Sequence, residues 1–241
     1  MFLVPTLEVQ PVLETKSLAA WYGPTQALFD VSVRVTPGQV LALVGTNGAG
    51  KTTTVRAIMG LIRSTGAVTV NGTDISGWPT HRRAREARIA VVHESVNLFG
   101  ELTITENLLL GLSNVSRERL EEVQEIFPII AERPKAPVGT LSGGQRQMVA
   151  LGKAFLSDPS YLLLDEPSLG LSPAMVEVIY QTITEFTARN VGVLLIEQNI
   201  SRAADVATEI QLVTIGRSNP VIPASDKEKV DQLQQLAFGE M

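Results

Sequence analysis

Gly45-Thr46-Asn47-Gly48-Ala49-Gly50-Lys51-Thr52-Thr53 fits the phosphate-binding loop pattern G-x-x-x-x-G-K-[ST]. Val40 to Val44, just before it, reads as a buried parallel strand, and Val55 to Ile62, just after it, has helical spacing. A strand, loop and helix in that order aim backbone N–H groups and the positive end of a helix dipole at one anion. The glycines let the backbone approach phosphate oxygens without a clashing Cβ. Lys51 is expected to reach the β- and γ-phosphates, and the Thr52 hydroxyl to coordinate Mg²⁺. The ligand this chemistry implies is a nucleoside triphosphate.

Leu141-Ser142-Gly143-Gly144-Gln145 follows downstream and leads into Arg146 to Phe155, whose apolar positions repeat at helical spacing. Next comes Tyr161-Leu162-Leu163-Leu164-Asp165-Glu166, an apolar run ending in two acids. It reads as a strand buried on both faces, with the acids at its carboxyl end, where open α/β sheets place ligands. Asp165 is suited to hold Mg²⁺ through its water shell, and Glu166 to orient or deprotonate an attacking water.

In this order and spacing, these residues resemble the ATPase subunit of ATP-binding cassette (ABC) transporters over nearly the whole chain. The resemblance implies that Tyr22 stacks on adenine and that Gly45, Asn47, Gly48, Gly50, Lys51, Thr52 and Thr53 hold the ATP phosphates. It also implies that Leu141 to Gln145 is the ABC signature, that Leu162 to Glu166 is the Walker B strand, and that Ser168 to Leu171 touches a partner subunit. Asp165 to Pro173, Ile196-Glu197-Gln198-Asn199 and Leu102 to Leu108 look most like one ATPase of the branched-chain amino-acid uptake system. Two positions depart from the general family pattern. Glu94 stands where a Gln usually meets Mg²⁺ and the attacking water, and Gln198 where a switch histidine meets the γ-phosphate. Gln198 can donate a hydrogen bond to phosphate but cannot be a cation. The expected catalytic set is therefore Glu166, Lys51, Glu94 and Gln198, with Thr52, Asp165 and Glu94 near the metal.

The resembled fold is an α/β P-loop NTPase core with an antiparallel β subdomain and an inserted α-helical subdomain. Residues 1–94 and 151–241 are expected to form the core with the β subdomain, and 95–150 the helical part carrying the signature. Strands are predicted over Val12 to Ala20, Leu28 to Val35, Gly66 to Gly72, Val191 to Ile196 and Glu209 to Ile215. Helices are predicted over Thr105 to Gly111, Arg117 to Phe127 and Asp226 to Leu236, with Pro128, Pro134 and Pro137 breaking helices before the signature.

Ser142 and Gly144 offer a hydroxyl and backbone N–H groups at a helix start, with Gln145 completing the motif. The chain's own phosphates are already cradled at Gly45 to Thr53, so this second anion site is expected to serve a neighbouring cassette in a head-to-tail dimer holding two ATP molecules. The resemblance further implies transmembrane permease subunits and, indirectly, an extracellular or periplasmic solute-binding protein. Val96 to Gly100 offers apolar groups for the permease to dock on.

The 241 residues suffice for a single cassette and, with 20 Lys+Arg against 25 Asp+Glu and a net charge of −5, predict no general affinity for nucleic acid. Arg82, Arg83, Arg85 and Arg88 read as a solvated helix face. No run is long and apolar enough to span a membrane, Met1 to Pro5 lacks the features of a secretory signal, and cysteine is absent. Residence in the cytoplasm, on the inner face of the membrane, is expected. Trp21 and Trp78 read as packing residues, and His81 and His93 lack metal-ligand spacing. Three other readings compete with an amino-acid importer. They are a urea or amide importer, a non-hydrolysing regulatory protein suggested by Glu94 and Gln198, and a soluble ABC ATPase acting on DNA or ribosomes. Glu166 argues against the second, and the lack of a coiled-coil insertion or second cassette against the third.

Overall fold

The computed structural model describes residues 12–93, 97–112 and 114–238. β1 (Leu13–Tyr22) pairs antiparallel with β2 (Thr25–Val31) and, at its other end, with β3 (Arg34–Val35). The sequence predicts one strand from Leu28 to Val35. Side chains interrupt it, because the N–H groups of Ser32 and Val33 donate to the hydroxyls of Ser218 and Thr15.

β4 (Val40–Val44) is buried at every position, as its unbroken apolar run requires. The phosphate loop follows and leads into α1 (Lys51–Ile58). This helix begins inside the motif and stops before the predicted Ile62. Gly60, at φ +68°, turns the chain, and the Arg83 guanidinium takes up the Ala57 and Ile58 carbonyls. β5 (Arg63–Val70) and β6 (Thr73–Asp74) form a hairpin, then α2 (Thr80–Arg85) leads into β7 (Ile89–Val92). Arg83 corrects the reading of its arginine cluster as wholly solvated. It is 2% exposed and donates to the carbonyls of Trp78, Ala57, Ile58 and Ser76.

A helical stretch follows, with α3 (Ile104–Leu109), α4 (Arg117–Ile126), α5 (Pro128–Glu132), a 3₁₀ turn (Val138–Thr140) and α6 (Gly143–Leu156). Thr103, Ser116 and Ser142 cap α3, α4 and α6 by accepting backbone N–H groups with their hydroxyls, each worth about 1 kcal/mol. Pro128 ends α4 and opens α5, where its missing N–H has no helical role. On the predicted apolar face of α4, Val123 and Phe127 are fully buried. α6 runs unbroken across residues 150 and 151.

β8 (Tyr161–Asp165) leads to α7 (Pro173–Ala188), a helix for which the sequence gave no prediction. β9 (Gly192–Glu197), α8 (Ile200–Val206), β10 (Glu209–Thr214), the short β11 (Arg217–Ser218) and β12 (Ile222–Pro223), and α9 (Lys227–Phe238) complete the order. Asp226 accepts the Lys229 N–H at the start of α9.

The strands join in the order β6-β5-β1-β2-β11-β10-β4-β9-β8-β7. β10, β4, β9, β8 and β7 run parallel, and β6, β5, β1 and β2 antiparallel, so the expected core and β layer share one curled sheet. α1 packs between the antiparallel strands and the parallel ones, through Val55, Ala57 and Ile58. The helices from α3 to α7 cover the other side of β8 and β9, around Phe127, Phe155 and Phe186. β4 and β8 both end at the same sheet edge, with β9 between them.

Candidate nucleotide-binding site

The phosphate loop leaves β4 at Gly45, whose φ is +154° and where a Cβ would collide with the Val213 carbonyl. Gly50, at φ +112°, begins α1, and a Cβ there would stand 2.6 Å from Leu28 Cδ2. Those two positions require glycine because the loop is wedged against its neighbours. Thr46, Asn47 and Gly48 at the loop tip are exposed. A cleft of about 350 Å³ opens there, lined by Asn47, Gly48, Gly50, Lys51, Thr52, Thr53, Glu166, Leu169 and Gln198.

Lys51 is 4% exposed, and its ammonium donates to the carbonyls of Gly45 (2.9 Å) and Thr46 (3.1 Å). Its Nζ also lies 3.3 Å from Glu166 Oε1. The other Glu166 oxygen, Oε2, accepts the Gln198 amide at 2.6 Å. Glu166 has φ +50°, a left-handed conformation a non-glycine residue rarely adopts, and its N–H is held by the Ile196 carbonyl. Such a geometry at a functional carboxylate is held in place by its surroundings at a cost of about 1–3 kcal/mol. Thr52 donates its hydroxyl to Asp165 Oδ1 at 2.9 Å, and His93 Nδ1 lies 3.8 Å from Asp165 Oδ2. A hydroxyl beside a buried carboxylate is a hard oxygen pair of the kind Mg²⁺ takes when phosphates supply the rest of its shell.

The structure thus brings Lys51, Thr52, Asp165, Glu166 and Gln198 to one place. Sequence reasoning missed three participants. Leu169 lines the cleft and is 51% exposed. His93 faces Asp165 because Val92 pairs with Leu164, a register that a sequence does not print. Glu197 lies buried behind Gln198, and the end of an apolar strand with an acid in it was its only signal. Glu94 lies outside the described residues, as does Val96 of the expected docking segment. In that segment Leu98 is half-buried, whereas Phe99 is 58% exposed.

Ser142, Gly144 and Gln145 do not line the cleft. Ser142 and Gln145 form a reciprocal cap at the start of α6, the Ser142 N–H donating to Gln145 Oε1 at 3.0 Å. Gly144 is packed on Met175, which a Cβ would approach to 2.6 Å, so Gly143 is the exposed glycine of the pair. Tyr22 stands at the end of β1, 40% exposed, its hydroxyl accepting from Arg56 at 3.1 Å. Trp21 and Trp78 are half-buried, with the guanidinium groups of Arg63 and Arg82 at 5.2 and 4.1 Å from their rings.

The family description "ABC transporter" matches residues 28–169. The chain is 37% identical to the high-affinity branched-chain amino acid transport ATP-binding protein BraG of Pseudomonas aeruginosa, covering 86% of this chain and 90% of that one. It is 35% identical to the probable branched-chain amino acid transport ATP-binding protein LivF of Archaeoglobus fulgidus, over 95% and 99% of the two chains. It is also 33% identical to the lipopolysaccharide export system ATP-binding protein LptB of Haemophilus influenzae, over 95% and 98%. A solved structure described as the ATP binding subunit of an ABC transporter superposes with a TM-score of 0.80 at 30% identity, covering 95% of this chain and 96% of that one. The chain belongs to the ABC transporter family, among its ATP-hydrolysing subunits.

Proposed function

We propose that this chain hydrolyses ATP to drive uptake of branched-chain or related amino acids, through permease subunits that it contacts from the cytoplasmic side. The observation that carries the catalytic part is the connected set Lys51–Glu166–Gln198 beside Thr52–Asp165. The amino-acid part is supported by the likeness to BraG and LivF.

All three N–H donors of Lys51 have acceptors, the carbonyls of Gly45 and Thr46 and the Glu166 carboxylate. A γ-phosphate in the cleft competes with Glu166 for the third donor. Phosphate entry therefore draws the ammonium toward the ligand and frees Glu166 to take a proton from water. Gln198 is placed to hand its amide N–H from Glu166 to a phosphate oxygen. Thr52 and Asp165 would hold Mg²⁺, which supplies charge neutralisation across the phosphates. Tyr22 offers an exposed ring for adenine.

The signature residues face away from this cleft, with the N-terminus of α6 capped but its first N–H groups directed outward. We assign Ser142, Gly143 and Gln145 to the nucleotide of a second cassette, identical or paralogous, in a head-to-tail pair. Ser142→Arg should leave ATP binding by the single chain within about threefold while abolishing ATP-dependent dimerisation on a sizing column. Normal dimerisation would remove this assignment.

Export of a lipid-linked substrate is the second reading, favoured by the 33% identity to LptB over 95% of this chain. Host cells carrying only the Glu166→Gln chain should lose uptake of labelled leucine. Intact leucine uptake together with retained lipopolysaccharide inside the cell would favour export.

A further inference from the structure

Behind the cleft lies a buried acid to which the chemistry above gives no task. Glu197 ends β9 and pairs in register with Val44, the last residue before the phosphate loop. It is 4% exposed, and its Oε1 has no hydrogen-bond partner among the described residues. Burial pushes its carboxyl up from the usual range. The Ser168 hydroxyl and the Gln198 N–H, both presenting donors to it, act in the opposite direction. Ser168 is itself 8% exposed and adjoins the Tyr180 phenol, which is buried and also lacks a partner among the described residues.

This cluster lies beneath the loop that joins β8 to α7. The loop's first residue, Glu166, is fastened to β9 by its N–H on the Ile196 carbonyl. Beyond that point the backbone bonds are internal to the loop, Leu169 N–H to Glu166 and Leu171 N–H to Ser168. The side chain of Ser168 is what can tie the middle of the loop to the strand, and Glu197 is what it meets there. The next residue in the loop, Leu169, lines the cleft, and the next residue in the strand, Gln198, holds Glu166.

We infer that Glu197 is a positioning residue for ATP hydrolysis, fixing the loop at Ser168 to the strand end at Gln198 and thereby setting the Gln198–Glu166 pair. A neutral, hydrogen-bonding carboxyl suffices for this task, and its length matters more than its charge. The inference rests on Glu166 as the water-activating group, and the experiment separates the two. Amide exchange in the loop reports the tie directly, whatever residue activates the water.

In the full chain, Glu197→Leu should accelerate hydrogen–deuterium exchange at the amides of Ser168 to Leu171 and lower kcat, each by about tenfold, the scale of one lost buried hydrogen bond. ATP affinity should stay within about threefold, since no phosphate contact is altered. Glu197→Gln keeps length and hydrogen bonding and should restore both readouts to within about threefold of the parent chain. Glu197→Asp keeps the charge but falls one methylene short, and should resemble the Leu variant; it also serves if the Leu variant does not fold. Ser168→Ala combined with Glu197→Asp should lower kcat no further than either alone. Unchanged loop exchange in the Asp variant, or a Gln variant as impaired as the Asp one, would overturn the inference.

Discussion

The parallel strands carry a cavity at each end, and the two ends use charge in opposite ways. At the carboxyl ends, Lys51 and Glu166 face the cleft with side chains only 4% and 11% exposed. At the amino ends, a cavity of about 250 Å³ is lined by Arg88, Arg119, Asp158, Tyr161, Arg189 and their neighbours. There Arg88 and Arg119 both meet Asp158, and Arg189 meets Glu122 from α4. Asp158 is 60% exposed and Arg119 33%, so water screens these pairs, which lock helices and loops together at the surface. The carboxyl-end charges are dehydrated, share acceptors with one another, and can be redistributed when an anion arrives. A count of charged residues does not separate the two cavities, but burial and the number of competing partners do.

The strongest way to break this contrast is at Glu166. Glu166→Gln should leave ATP binding intact while turnover, followed as phosphate release, falls by about two to four orders of magnitude. Turnover near the parent value would move the water-activating role elsewhere, with Glu94 the first alternative to test. Lys51→Ala removes the buried ammonium and should weaken ATP binding, measured by calorimetry, by about a hundredfold, the scale of one or two charge-assisted hydrogen bonds. Affinity within a few-fold of the parent would sink the phosphate-loop assignment.

Arg83 sharpens the comparison, because it is as buried as Lys51 yet its partners are structural carbonyls. Arg83→Met strips the end of α1 of its acceptor partners and should lower unfolding free energy by about 2–4 kcal/mol in chemical denaturation. The smallest effect is expected at the amino-end cavity. Asp158→Asn suits the left-handed backbone there, φ +51°, and should cost under about 1 kcal/mol with ATP affinity unchanged. The Arg119 hydrogen bond, ahead of the Arg119, Arg88 and Arg189 charges, holds the Asp158 carboxyl below its usual range. Its contribution is thus present above the unfolded carboxyl's value and lost on acidification. The difference between parent and variant should fade as the pH drops below about 4. A large effect at neutral pH would show that this cavity is more than a surface clasp.

Much of the fold was legible where burial leaves a one-sided signature. The unbroken apolar runs of β4, β8 and β9 marked the central strands to within a residue or two, since a strand covered on both faces has no polar positions to alternate. α7 escaped because Met175, Val178 and Thr182 blur its apolar stripe, and the single strand expected at Leu28 to Val35 failed because hydroxyls far along the chain take its N–H groups. Arg83 could not be told from Arg82 or Arg85 by composition, because the difference lies in which of them points beneath α1.

The residue types and their order by themselves determined that this chain holds a phosphate loop, a signature helix start and a strand ending in two acids. Glycine, lysine and paired carboxylates at those spacings carry their chemistry with them. Tertiary structure alone decided that Glu166 shares itself between Lys51 and Gln198, that His93 stands across from Asp165, and that Glu197 lies unpaired beneath the loop. Those relations depend on β9 lying between β4 and β8 in a fixed register, and register is set by long-range packing that no local stretch of sequence contains.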